Sequence, residues 1–329
     1  MGRKQISEIA ATENISASTV SKVLNHSPGV SGDVREQIYR AAERINLTSK
    51  PDRPVSIYTI IPEIPNFFWD ADLKRRQNDD ISVKHNIYSR LGDLDTVVRY
   101  LKEAVDVDAE VIMIVTQLNE RIEGILRRLA DKKLIIFLTE YNSMENTFYI
   151  GSNAERDGRE LAAACLRSHG DSERVLILRD MTLSQSSTSS IRMNAFKDAV
   201  SGRLEFDTAD IHIQMGVPSF SSVLARELTP LFKKCPYSSV VSFNGFTNSL
   251  CAAVQKIKLP YRVGCFGFEN SPQNKKWADS GYLKAVVCQN FSEQFSVALN
   301  VAEKYVKDKI RPDRKSTFID SRLIEYDPE

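Results

Sequence analysis

The four histidines, His26, His85, His169 and His212, are the first place to look for metal ligation or acid–base chemistry, and they lie far apart. None falls into an H-E-x-x-H or comparable ligand spacing, so no metal site is expected. The five cysteines, Cys165, Cys235, Cys251, Cys265 and Cys288, are odd in number, widely spaced and without a C-x-x-C pair. Flanked mostly by apolar residues, they read as buried thiols in a reducing cytoplasm. The chain has no G-x-S-x-G elbow, no G-x-x-x-x-G-K-[ST] loop and no G-x-G-x-x-G turn after a strand. Its nearest glycine cluster, Gly264-Cys265-Phe266-Gly267-Phe268, is too tight and bulky to cradle a phosphate and reads as the end of a buried strand. No residue pair sets up a nucleophile and a base, so the expectation is a protein that binds without catalysis and without a cofactor.

Composition agrees with a folded, multidomain chain. At 329 residues, 42% apolar and 26% charged, there is enough material for two or three domains with real cores. Lys and Arg number 44 against 43 Asp and Glu, so any basic footprint for nucleic acid must be local. No apolar run approaches the roughly 18 to 20 residues of a membrane span, and the start MGRKQISEIAATE is charged without an apolar stretch. A soluble, cytoplasmic protein with no membrane partner is expected.

The elements that must position any site divide into a short head and a long alternating body. Residues 6 to 47 repeat a helical spacing in three units: Ile6, Ile9, Ala10; then Ile15, Val20, Val23, Leu24; then Val34, Ile38, Ala41, Ala42, Ile45. Ser16 and Ser31 precede periodic runs and suit N-caps, and Asn14 tolerates the left-handed geometry a tight turn needs. The segment TSKPDRP, with Pro51 and Pro54, denies helix and reads as a linker. Beyond it, apolar runs at 55–61, 111–115, 134–138, 175–178, 240–243, 263–266 and 285–288 alternate with amphipathic stretches such as 93–107 and 291–306. That alternation predicts an α/β fold of doubly wound parallel sheets in two lobes. The expected organisation is a helix-turn-helix headpiece over 1–48, a linker over 49–55 and a two-lobed domain over 56–329. Within the latter, the N-lobe takes about 56–160 and 291–317, and the C-lobe about 161–290 and 318–329.

The head, QISEIAATENISASTVSKVLN at residues 5–25, closely resembles the DNA-binding headpiece of the lactose-repressor (LacI) family, as do Val30-Ser31 and Val34-Arg35 after it. The resemblance implies a body similar to periplasmic ribose-binding proteins, which agrees with the alternation read independently. A recognition helix starting at Ala17 would enter the major groove N-terminus first, after Ser16, with Ala17, Ser18 and Lys22 on the base-facing side. Thr19 and Ser21 would grip phosphates, with Asn25 supporting them; Thr19 and Ser21 also fit an ordinary helix surface, and Lys22 a solvated charge. Residues 1–50 hold seven Lys or Arg and five Asp or Glu, about +2, so one headpiece alone should bind weakly. Where the family has glycine in the turn this chain has Asn14. Where the family has a hinge helix with a leucine wedge, this chain has the shorter TSKPDRP.

In doubly wound sheets ligands bind outside the carboxyl ends of the strands. The residues standing there are, by the same resemblance, the ligand set. Asn66, Phe67, Phe68 and Trp69 follow the first run and are similar to the N-x-F-F type segment of ribose-binding proteins, although three adjacent aromatics also suit a core. Arg192 follows a Ser/Thr-rich loop, 182–190, that reads as a solvated cleft rim. It looks like the arginine of an R-x-x-[GA]-F segment, its fork suited to vicinal hydroxyls; a salt bridge at a helix start is the other reading. Asn244 and Glu269 stand where the family has N-D and G-[FY]-D, and Gln289 follows the last run. All three fit ligand or hinge hydrogen bonding.

Together these features imply a transcriptional regulator that binds operator DNA as a homodimer under control of a small-molecule effector, a sugar or polyol. Two rivals are a sugar receptor that acts through protein contacts without operator binding, and a sugar-modifying enzyme, which lacks a catalytic pair.

Overall fold

The structure is a computed structural model, and it describes residues 3–24, 30–31, 34, 37–38, 40–42, 55–63, 81–169, 173–212 and 219–326. Asn25, the linker at 48–54 and the segment Asn66–Trp69 lie outside the described residues.

At the head, α1 (Arg3–Thr12) and α2 (Ala17–Leu24) are joined by a turn in which Asn14 adopts φ 53°. Ser16 caps α2, its hydroxyl accepting from the Thr19 amide at 3.1 Å. Ile9, Val20 and Val23 pack with Ile38, Ala41 and Ala42 of a third helical segment. Gln37 of that segment donates to Glu13 at 3.0 Å, tying it to the turn.

The body holds two six-stranded sheets. The first comprises β1 (Val55–Pro62), β2 (Ile81–Tyr88), β3 (Val111–Ile114), β4 (Leu134–Leu138), β5 (Thr147–Gly151) and β11 (Ser316–Phe318), in the order β11-β5-β4-β3-β1-β2. Every pairing in it is parallel. The second comprises β6 (Arg174–Asp180), β7 (Glu205–Ile211), β8 (Ser239–Ser242), β9 (Gly264–Phe268), β10 (Leu283–Cys288) and β12 (Arg322–Glu325), in the order β12-β10-β9-β8-β6-β7. It is parallel except for β12, which runs antiparallel to β10. Without its last-added edge strand, each sheet has the doubly wound order 2-1-3-4-5.

Helices cover both faces of both sheets, which is why the central strands are near-continuous apolar runs. On the first sheet α3 (Leu94–Asp106) and α4 (Glu120–Ala130) bury Leu101, Ile122 and Leu126 on one face. On the other face α10 (Phe291–Asp308) buries Phe295, Ala298, Leu299 and Ala302. On the second sheet, α5 (Ala154–Arg167) and α6 (Ser187–Val200) cover the face lined by Val175, Ile177 and Phe266. The opposite face takes α7 (Phe220–Lys234), α8 (Thr247–Ile257) and α9 (Asn274–Asp279).

The chain passes between the sheets three times, at β5 to α5, at β10 to α10, and between β11 and β12. Asn153 and Asn290 stand at the first two crossings and cap the helices that follow, accepting from the amides of Arg156 and Glu293 at 3.0 and 3.2 Å. The expected lobe limit at residue 160 therefore falls inside α5, whose Leu161, Ala162 and Cys165 already pack on the second sheet. Phe318 still pairs with the first sheet, beyond the expected limit at 317.

All five cysteines are free; Cys165, Cys251 and Cys265 are buried, whereas Cys235 and Cys288 are half-buried. Among the described residues, no helix is long and apolar enough to cross a membrane.

Candidate functional site between the lobes

The carboxyl ends of β4, β6, β8, β9 and β10 carry a set of polar side chains at the junction of the two sheets. Three contacts define it.

The first joins the lobes through Glu140, two residues past the end of β4. Thr139 before it adopts φ 58°, an uncommon conformation for a β-branched residue that costs on the order of 1–3 kcal/mol. The kink delivers the Glu140 carboxylate to the start of α6, where it accepts from the Ser186 hydroxyl at 3.0 Å and the Thr188 amide at 3.2 Å. The Tyr141 amide in turn donates to the Thr188 hydroxyl at 2.7 Å. A carboxylate at a helix N-terminus meets unpaired amides and the positive end of the helix dipole. Burial nevertheless dominates and pushes the Glu140 pKa up to about 7, with the bonds from α6 and the Arg192 charge opposing it.

One turn along α6 is Arg192. Its Nη2 donates to Asp157 Oδ2 at 3.2 Å and to the Ser152 hydroxyl at 3.3 Å, and its guanidinium lies 4.0 Å over the Phe268 ring. Asp157 is brought there by a close crossing of α5 on α6: a Cβ on Gly158 would collide with the Arg192 carbonyl. Glycine is required by that approach.

The third contact lies at the second crossing. Glu269, at φ 70° after β9, accepts from the Gln289 amide at 3.2 Å and from Gln289 Nε2 at 2.8 Å. Gln289 Oε1 then accepts from Gln294 Nε2 at 3.2 Å. Burial raises the Glu269 pKa, and the nearby Arg192 charge lowers it.

The sequence-predicted Arg192, Glu269 and Gln289 thus share one junction. Arg192 commits one nitrogen to Asp157 and Ser152, the helix salt-bridge alternative for that residue. Asn244, after β8, instead donates to Asp180 Oδ2 at 3.0 Å, and Asp180 also accepts from the Thr182 amide and hydroxyl at 2.9 and 2.6 Å. The stretch 182–190 differs from a solvated rim. Ser186 and Thr188 are buried beneath Glu140, because the first turn of α6 supplies the donors that carboxylate needs. Glu140 and Asp157 were not singled out from the sequence. The available signal for Glu140 was its place directly after an apolar run; Asp157, inside a helix, offered none.

In the headpiece, Ala17, Ser18 and Lys22 are exposed on α2, and Ser16 is exposed ahead of it; Thr19 and Ser21 are half-buried. Ser16 shares hydrogen bonds with the Ser18 and Thr19 hydroxyls at 2.9 and 2.8 Å.

A catalytic combination of residue types occurs in the second lobe without the means to act. His169 lies 3.7 Å from the Cys165 sulfur and 3.7 Å from Glu173. Cys165 is wholly buried, and burial pushes its thiol far above the nucleophile range.

Comparison with known proteins completes the description. Residues 57–310 match the family described as "Periplasmic binding protein domain", and residues 5–49 match "Bacterial regulatory proteins, lacI family". The HTH-type transcriptional regulator GanR of Bacillus subtilis (strain 168) is 30% identical over 159 residues, 46% of this chain and 43% of that protein. The chain thus spans less than half the length of that relative. Among solved structures, the Caulobacter myo-inositol binding protein bound to myo-inositol gives a TM-score of 0.70 at 17% identity, over 84% of this chain and 95% of its own. A putative LacI transcriptional regulator from Bacteroides fragilis gives 0.69 at 12% identity, over 83% and 97%. At such identities these two matches speak for the fold. The chain belongs to the periplasmic binding protein domain family and carries at its N-terminus the helix-turn-helix of the bacterial lacI regulatory family.

Proposed function

We propose that the protein is a cytoplasmic, sequence-specific DNA-binding transcriptional regulator. In this reading two chains pair so that their headpieces bind a near-palindromic operator, and a sugar or polyol held between the lobes controls the affinity. The observation that carries it is the combination, in one chain, of an exposed Ala17, Ser18 and Lys22 face on α2 with a buried polar junction at the strand ends. Lys22 would donate to guanine in the major groove, Ser18 would donate or accept, and Ala17 would contact a thymine methyl. Thr19, Ser21 and Asn25 would hold phosphates.

Between the lobes, Arg192, Asn244, Glu269 and Gln289 would meet the effector together with Asn66, Phe67, Phe68 and Trp69. Effector binding would be coupled to a movement of the lobes about their crossings. A ligand shifts such an equilibrium by no more than its differential affinity for the two arrangements.

The test uses the purified full-length chain and DNA from upstream of its own gene. Fluorescence anisotropy should show specific binding that a panel of sugars and polyols changes. Ligand binding with no preference for that DNA would favour a receptor acting through protein contacts. Turnover of a sugar would favour an enzyme.

A further inference from the structure

We propose that the interlobe site takes a polyol bearing a protonated amine, an amino sugar or amino polyol, in preference to a neutral sugar or a sugar phosphate. This rests on reading the junction as a sugar or polyol site.

The first observation is charge. Among the described residues, Glu140, Asp157 and Glu269 surround one guanidinium, Arg192, and Asp157 already claims it in a direct ion pair. The Arg192 charge reaches both glutamates but is bonded to neither. Three carboxyl groups thus share one cation where the dielectric is low, and burial raises the pKa of both glutamates against it; a second cation beside them would favour their ionised forms.

The second observation is a set of unpartnered acceptors. Asp157 Oδ1, Asn244 Oδ1 and Gln294 Oε1 are buried acceptors without a partner among the described residues. The amide orientations are fixed by the acids. Asp180 requires the NH2 of Asn244, which leaves the Asn244 oxygen without a donor. Glu269 requires the NH2 of Gln289, whose oxygen then takes the NH2 of Gln294, so the orphaned acceptor is passed along to Gln294. An orphaned acceptor carries the full penalty of its desolvation.

The third observation concerns anions. The N-terminus of α6, the natural seat for a phosphate, is filled by Glu140, which takes the Ser186 hydroxyl and the Thr188 amide.

An ammonium brings one positive charge, three donors and no acceptor. It would supply the cation that the glutamates lack and a donor for an orphaned acceptor. A neutral hydroxyl in the same place brings one donor and lone pairs that themselves need donors. The unpartnered Arg192 Nε then remains for a hydroxyl oxygen of the same ligand.

The experiment is a thermal-shift and calorimetric panel on the full chain. It sets glucosamine, galactosamine and mannosamine against glucose, galactose, mannose and myo-inositol, the N-acetylated amino sugars, and the hexose 6-phosphates. An amino sugar should bind at least ten times more tightly than its neutral and N-acetylated counterparts, and the phosphates should bind weakest. Glu140→Gln should narrow the amino-over-neutral preference by about tenfold. A neutral sugar or a phosphate binding as tightly as its amino counterpart overturns the proposal and leaves the polyol site standing. Silence across all classes overturns both.

Discussion

Arg192 and Asp157 form an ion pair between α6 and α5 at 3.2 Å, with side chains only 4% and 0% exposed. A pair so deeply buried behaves unlike one on the surface: removing one partner strands a charge and costs about 3–5 kcal/mol, whereas replacing both with apolar residues can be neutral. Asp157→Ala and Arg192→Ala should each lower the urea unfolding free energy by that amount. The double variant Arg192→Met/Asp157→Leu should lose less than either. Additive losses in the double-mutant cycle would mean that the two side chains do not act as a pair.

The crossing of α5 on α6 supplies a second expectation. Gly158→Ala places a methyl group against the Arg192 carbonyl, an overpacking that should cost about 1–3 kcal/mol. Because it forces apart the helices holding Asp157 and Arg192, it should also weaken any ligand-induced thermal shift. Unfolding curves and the thermal-shift panel on the same variant check both effects.

Glu140 gives stability a pH dependence of definite sign. Its pKa rises from 4.5 to about 7 in the folded chain, so between these values the folded state holds a proton that the unfolded state has released. Stability from this group is present at low pH and is lost as pH rises from about 4.5 to about 7, a loss of about 3 kcal/mol. The charged or titratable groups facing it are Arg192, Tyr88 and Tyr149. Burial raises both phenols well above their ordinary value, so they keep their protons over this range. Glu140→Gln should therefore gain on wild type at pH 8 and much less at pH 5. An equal difference at the two pH values would place the titration elsewhere.

At the headpiece, Lys22→Ala should cost about 1–3 kcal/mol in operator binding and leave nonspecific binding nearly unchanged. Anisotropy titrations with operator and scrambled duplexes at one fixed salt concentration make the comparison. Equal losses on both would assign Lys22 to phosphate contact.

How much of this was legible follows from where each residue sits. Strands buried on both faces, such as β1, β3, β4 and β8, read directly as apolar runs. The edge strands β2 and β7 did not, because one face is open to solvent and carries polar or charged side chains: Lys84 and His85 interrupt the first, Glu205, Asp207 and Asp210 the second. The headpiece was legible because Asn14 and Ser16 have local jobs that spacing reveals. Glu269 and Gln289 were singled out by their place after strands and Arg192 by the family resemblance of its segment, whereas their partners were not. Asp157 lies 35 positions from Arg192 and Ser186 46 from Glu140; the first contact exists only once α5 has packed on α6, and the second only once the two lobes have met.

The three crossings also bear on how the chain folds during synthesis. Residues 153–288 hold all of the second lobe except β12, so most of that core is available early. The first lobe begins earlier, yet its core closes only after most of the second lobe has been made. Its sheet waits for β11, and the face lined by Ile57, Met113 and Ile136 waits for Phe295, Ala298, Leu299 and Ala302 of α10. Until those residues emerge, that apolar face has no cover, and exposed partial cores are aggregation-prone. The lobe begun first keeps its core open until α10 is made, and a chain truncated before Phe291 should fail in its N-terminal half.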